Sequence, residues 1–260
     1  MDFALSEENR MLKELVTRFV RDELMPHERT VLEREAAGKG AHLTDAELEP
    51  IDRKSKELGL WGLDAPAEFG GSNLPVEAMV GVYEELARTI TPYILPPDSP
   101  NLHMLRVTAN DEQRKQYLDP YARGETVSAI AISEPGAGGD PAGMTTRAVR
   151  DGSDWVLNGR KIWISRVANA DFTIVMAVTD KSKGARGGIS AFLVDKGTKG
   201  FNILRRIPMI GGASTYEVAL EDCRVEDWKL LGTEGQGFAP MQLRLGTRRV
   251  ESRFCIGAKP

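Results

Sequence analysis

Two short stretches hold the residues best suited to chemistry. Ser133-Glu134-Pro135-Gly136-Ala137-Gly138-Gly139-Asp140 reads as a glycine-rich turn leaving a strand, and Trp163-Ile164-Ser165 puts an aromatic plane and a hydroxyl on another strand. Glycines let backbone approach a ligand closely, and the N–H groups they expose meet phosphate oxygens. An indole face packs on a flat ring. Taken singly, each feature is ordinary, since a strand Trp is usually core and a strand Ser is usually a polar residue turned outward. Together they describe a pocket for a flat, phosphate-bearing cofactor, and a flavin fits best. Glu134 and Asp140 are suited to capping or bracing the turn.

The rest of the chain narrows the possibilities. With 260 residues, 41% hydrophobic and 28% charged, it is long enough for a substantial core and more than one domain. A net charge of -4 with interspersed signs excludes the basic surplus of a nucleic-acid binder. Cys223 and Cys255 lie in no metal-ligand spacing and read as two reduced thiols, and His27, His42 and His103 are scattered, so no metal site is expected. The first ten residues contain no apolar run, so neither a signal peptide nor a membrane span is expected. The expected location is cytoplasmic, or the mitochondrial matrix in a eukaryote.

The elements that must position the two stretches follow from periodicity. Ser6 is an N-cap for an amphipathic helix carrying Leu12, Leu15, Val16, Phe19, Val20 and Leu24, interrupted at Pro26. Further helices are predicted from Thr44 to Leu58, after Pro75, and from Asn110, whose pairing with Gln113 resembles a capping box. Thr91 to Pro100 is a proline-rich loop. Near Glu125 the period changes to that of strands. Asp151-Gly152 and Asn158-Gly159 read as hairpin turns flanking Trp155-Val156-Leu157, and further strands cover Phe172 to Val178, Ile189 to Val194, Phe201 to Leu204 and Tyr216 to Leu220. Turns fall at Gly187-Gly188, Gly197 and Gly211-Gly212, Gly232 to Gly237 reads as a flexible linker, and helical spacing returns with Phe238, Met241, Leu243 and Leu245. The fold class is therefore α+β: an all-α N-terminal domain at 1–124, then a strand-rich domain at 125–233 that periodicity leaves as a compact antiparallel barrel or sandwich, and a helix within 234–260.

This order and four motifs resemble the acyl-CoA dehydrogenase family from about Phe3 to about Arg249. The motifs are Glu68-Phe69-Gly70-Gly71, the SEPGAG run from Ser133, the NGRKIWIS run Asn158–Ser165, and Asp222-Cys223-Arg224-Val225 with the later LGTEGQGF run ending at Phe238. The resemblance makes the strand-rich domain at 125–233 an antiparallel β-barrel and the helix at 234–260 the first of a third, helical domain. It implies bound FAD and α,β-dehydrogenation of an acyl-CoA thioester, with a carboxylate taking the α proton, the β hydrogen passing as hydride to flavin N5, and an electron-transfer flavoprotein as reoxidant. Carried over by position, Trp163 is the aromatic ring beside the isoalloxazine, and Ser165 supplies the hydroxyl for flavin N5. Ile132 and Ser133 meet the pyrimidine edge. Ile130, Ile164, Gly138 and Gly139 are further cofactor-binding positions, and Gly139 also touches substrate.

Two departures stand out. Gly139 replaces a residue that is often Ser in the family, keeping a backbone donor and losing a hydroxyl. No catalytic residue is assigned, because the carboxylate of most members comes from a C-terminal helical bundle and the minority position, one residue before a characteristic Arg, holds Thr247 or Arg248 here. Glu251 is offset from that position and reads as a solvated helix residue. The expectation is an FAD-dependent acyl-CoA dehydrogenase-like chain that is inactive when isolated. One alternative is a non-catalytic or partner-completed subunit, as a homo-oligomer or with a chain supplying the helical domain. Another is a flavin oxidase or monooxygenase of the same fold.

Overall fold

Helix α1 (Glu7–Phe19) starts as the sequence predicts: the Ser6 hydroxyl accepts the Asn9 N–H at 3.2 Å, and Glu7 and Glu8 occupy the first turn. A computed structural model of the chain describes residues 5–97, 100–209 and 214–245. Pro26 deflects the helix without ending it. The chain passes through a π turn (Val20–Leu24) and a 3-10 turn (Met25–His27) and resumes as α2 (Glu28–Ala36). Pro26 falls in the first turn of the 3-10 segment, where a missing N–H costs little. Helix α2 shows no apolar stripe in the sequence, since Val31 is its one buried residue.

Helix α3 (Asp45–Glu57) opens with a reciprocal capping box, Glu47 accepting the Thr44 N–H at 2.7 Å. Hydrogen bonds from Arg34 and then from the Thr44 backbone hold the Glu47 carboxyl down at about 2. Thr44→Ala removes the cap and one Glu47 partner and is expected to cost about 1 kcal/mol in urea unfolding; an unchanged midpoint would show that Arg34 and the backbone N–H at 44 hold this end without the hydroxyl. Helix α4 (Val76–Leu86) follows Pro75. Val16, Phe19, Leu24, Ile51, Leu60 and Val82 form the core of this first compact unit, which comprises described residues 5–97.

The second compact unit comprises described residues 100–209 and 214–245. Secondary structure changes class near 124/125, but packing joins the preceding helices to the strands. These are α5 (Pro100–Thr108) and a helical run Asp111–Gln113, Arg114–Leu118 and Asp119–Ala122 that starts at the predicted Asn110–Gln113 capping box. Gln113 Nε2 donates to the carbonyls of Trp228 and Leu230 at 2.7 and 2.8 Å, and the Tyr117 hydroxyl donates to Asp195 at 2.8 Å.

The strands are β1 (Ser128–Ala131), β2 (Arg147–Asp151), β3 (Asp154–Ser165), β4 (Phe172–Val178), β5 (Ile189–Asp195), β6 (Phe201–Pro208), β7 (Ser214–Glu226) and β8 (Leu230–Leu231). They form one sheet in the order β6-β7-β3-β2-β4-β5-β8, with β1 beside β4. The sheet is mostly antiparallel, as expected for the strand-rich domain. β1 and β4 are parallel, as is the single pair Arg147 and Val178, and the path ends at β6 and β8 without closing. Trp155, Leu157, Phe192, Val218 and Val225 make its core together with Cys223, a buried free thiol that burial pushes up to about 11. The other cysteine, Cys255, lies outside the described residues.

Two expectations are corrected. Asn158-Gly159 is not a turn but lies inside the 12-residue strand β3, because Asn158 bonds across to β7, accepting the Asp222 N–H at 2.9 Å, and Gly159 packs on Thr146. The segment 232–237 is not a free linker: Gly237 N–H donates to the Ile189 carbonyl at 2.8 Å and Gly235 N–H to Ser190 Oγ at 2.8 Å. A final helix begins at 238 and anchors Met241 in the unit. The Gly211-Gly212 turn and the stretch 246–260, with Thr247, Arg248 and Glu251, lie outside the described residues. Among the described residues no cluster suited to a metal ion occurs, and no helix is long and apolar enough to cross a membrane.

Candidate functional site

The geometry of the site follows from a slip in one strand. In the first part of β3, Trp155, Leu157 and Lys161 point inward with period two. Continued unbroken, that period sends Trp163 and Ser165 into the core. Against β7, however, Lys161 pairs with Val218 and Ile164 with Tyr216, so β3 holds one residue more than its partner there. Such a bulge exchanges the two faces. Ile162 and Ile164 turn inward, and Trp163 and Ser165 turn out.

Trp163 takes the strain of this exchange. Its φ is +62°, a left-handed conformation that costs an L residue about 1–2 kcal/mol. Trp163 is nevertheless 56% exposed. A large apolar side chain held in strain and left in water gains nothing from the fold of its own chain, and such outliers gather where a ligand is bound.

The glycine turn is fastened directly against this bulge. Ile162 N–H donates to the Ser133 carbonyl at 2.9 Å, and Lys161 Nζ donates to the Ile132 carbonyl at 3.1 Å and to Glu134 Oε1 at 2.9 Å. The ends of the turn's first bend, Glu134 and Ala137, exchange backbone hydrogen bonds at 2.9 and 3.1 Å. Glu134 also takes the Thr145 N–H and hydroxyl at 2.7 Å each, and the Thr146 N–H at 2.9 Å. Asp140 caps the following 3-10 turn through the Ala142 N–H at 2.9 Å. Both acids therefore brace the loop.

Burial alone pushes the Glu134 carboxyl up, but the Lys161 charge and the bonds from Thr146, Thr145 and Lys161 outweigh it and hold the group at about 2. Burial brings Lys161 down to about 8, against the pull of Glu134. At neutral pH the pair is ionic.

The residues present fit a flat cofactor with a phosphate-bearing tail. A Cβ added at Gly136, Gly138 or Gly139 meets nothing within 4 Å, and none of the three has a left-handed φ. The chain's own packing does not call for glycine at these exposed positions, whereas close approach of a ligand to the backbone does. An open recess of about 470 Å³ borders the turn at Pro135, Gly136, Gly159 and Arg160.

The sequence-predicted positions sort as follows. The Ser133 backbone and Trp163 are brought together through Ile162, with Ser165 two residues further along the same outward face. Ile130, in β1, pairs with Ile174 of β4 and is half-buried, and Ile132 is half-buried. Ile164 has its side chain in the core, so only its backbone remains for a ligand. The carbonyls of Ile132 and Ser133 are already engaged by β3, so what the sequence reading offers there is their backbone N–H groups and the Ser133 hydroxyl. Lys161 was missed. A signal existed: it continues the inward parity of Trp155 and Leu157, and a charge at a core position requires a buried partner.

With fold and site in place, comparison with known proteins is direct. The family model described as acyl-CoA dehydrogenase, N-terminal domain, matches residues 6–125, and the one described as acyl-CoA dehydrogenase, middle domain, matches residues 129–223. (R)-benzylsuccinyl-CoA dehydrogenase of Thauera aromatica is 41% identical over 267 residues, covering 99% of this chain and 66% of that protein. Among solved structures, butyryl-CoA dehydrogenase from Megasphaera elsdenii is 28% identical with a TM-score of 0.77, covering 98% of this chain and 66% of that one. A chain from a structure of the electron transferring flavoprotein of Acidaminococcus fermentans is 34% identical with a TM-score of 0.77, at 98% and 66% coverage. The chain thus spans 66% of the length of each of these relatives. It belongs to the acyl-CoA dehydrogenase family.

Proposed function

We propose that this chain is the flavin-binding part of an FAD-dependent oxidoreductase that dehydrogenates an acyl-CoA thioester between its α and β carbons. The observation that carries this reading is Trp163, strained at φ +62° and exposed, beside a glycine turn whose glycines the fold itself does not require. When bound, FAD supplies the two-electron acceptor for the β hydrogen. Trp163 offers its indole face to the flat ring. The Ser165 hydroxyl would donate to a ring nitrogen and tune its electronics. The Ser133 hydroxyl would serve the polar edge of the ring, and the backbone N–H groups of Gly138 and Gly139 would hold the phosphate-bearing tail.

The relatives named as benzylsuccinyl-CoA and butyryl-CoA dehydrogenases favour a dehydrogenase over an oxidase or monooxygenase. The similar chain in the electron transferring flavoprotein structure supports an electron-transfer flavoprotein as the partner that removes the electrons. In the stretch given by these 260 residues, the position that holds the carboxylate in a minority of the family is Thr247 or Arg248, so this stretch is expected to produce no enoyl thioester by itself.

FAD titration followed by flavin fluorescence tests the proposal, and no saturable change at any protein concentration would sink it. Trp163→Gly sharpens the test. Glycine relieves the left-handed strain and removes an indole that contributes little burial, so stability is expected to hold or rise, while FAD affinity falls about tenfold through lost stacking. A variant that loses stability and keeps its affinity would assign Trp163 to the fold alone.

A further inference from the structure

We propose that Lys161 and Glu134 are a positioning pair that fixes the glycine turn on the β3 bulge and thereby sets the placement of Ser133 relative to Trp163. That the placed groups serve a flavin rests on the reading above. The fastening itself rests on the contacts. Lys161 is 0% exposed and is the last inward residue before the strand changes face. Its ammonium reaches two successive points of the incoming chain, the Ile132 carbonyl and the Glu134 carboxylate. Glu134, 4% exposed, binds Lys161 and Thr146 through one oxygen and Thr145 through the other. One carboxylate thus ties the entrance of the turn at 134 and its exit at 145–146 to the same lysine.

The core does not need this pair for burial. The other inward side chains of β3, namely Trp155, Leu157, Ile162 and Ile164, are apolar, and apolar replacement of a buried ion pair is often neutral for stability. The turn, by contrast, has few other fixings. Its glycines carry no side chains, and supporting groups of this kind decide whether a site is held or loose.

The test uses the full chain with Lys161→Met and Glu134→Gln combined, which puts an apolar group in the core and keeps one amide oxygen as acceptor, for Thr145 or for Thr146 but not for both. Amide hydrogen exchange is read by peptide. In 134–140 and 161–165 it is expected to accelerate at least about tenfold, while β4 and β5 stay protected. FAD affinity is expected to fall about tenfold. Glu134→Asp keeps the charge but shortens the reach, and should give the same local pattern at smaller size. Unchanged exchange in 134–140 overturns the proposal. So does a uniform loss of protection across the sheet unit, which would make the pair a general support of the core. If the wild-type chain takes up no FAD while the local exchange pattern appears, the positioning role stands and the flavin reading fails.

Discussion

Glu134→Ala is expected to lower the unfolding free energy by about 3–5 kcal/mol, the usual consequence of leaving one member of a buried ion pair behind. The loss is compound. Lys161 keeps a charge with no counter-ion, and the Thr145 and Thr146 N–H groups lose the carboxylate that accepts them. The effect is also pH-dependent in a defined sense. In the folded chain the Glu134 carboxyl sits at about 2, below its ordinary 4.5, so its contribution is complete above about 4.5 and is lost as pH falls toward 2. The gap between wild type and variant should therefore be widest near neutrality and shrink in acid. Urea unfolding at about pH 7 and about pH 3 measures both limbs. A constant gap would mean that the carboxylate is not the stabilising form. Combining Glu134→Gln with Lys161→Met should cost less than the sum of the two single changes, since neither charge is then stranded.

Gly159→Ala is the second large effect, expected at about 3 kcal/mol. The new methyl group falls 2.6 Å from Thr146 Cα, and it meets the Thr146 hydroxyl as well. Backbone has no rotamer by which to give way. Because the Thr146 N–H donates to Glu134, the displacement passes directly into the pair and the turn it holds. FAD uptake should fall along with stability. Gly138→Ala is the matching control. Its Cβ enters open space, so stability should change by less than about 0.5 kcal/mol, and only FAD binding should suffer. If Gly159→Ala unfolds with an unchanged midpoint, the packing of β3 on Thr146 is looser than the contacts state.

Gly152 and Gly159 show where the sequence is readable and where it is not. Asp151-Gly152 and Asn158-Gly159 carry the same local turn signal, yet only Gly152, at φ +65°, lies between strands. Asn158 found a partner in Asp222, 64 positions away, and no window along the chain contains that bond. Caps at Ser6 and Asn110 were legible because their partners lie within three residues. The linker reading of 232–237 failed for the opposite reason, since glycines that look permissive are there to let backbone touch β5. In the site, the glycine turn and the WIS strand were visible as chemistry and as family motifs. The bulge was not, because an extra residue in one strand is defined only by the strand it pairs with.

The slip in β3 has a consequence for how this gene tolerates change. Between Gly159 and Ser165 the number of residues is held more tightly than their identities. A substitution at an outward position such as Arg160 alters one exposed side chain. Deleting a single codon in this interval removes the extra residue and returns the strand to an unbroken alternation. Either the indole and the hydroxyl are then driven inward, or Lys161 is driven out and away from Glu134. In a deep mutational survey this stretch should stand out as permissive at some letters and closed to every change in length.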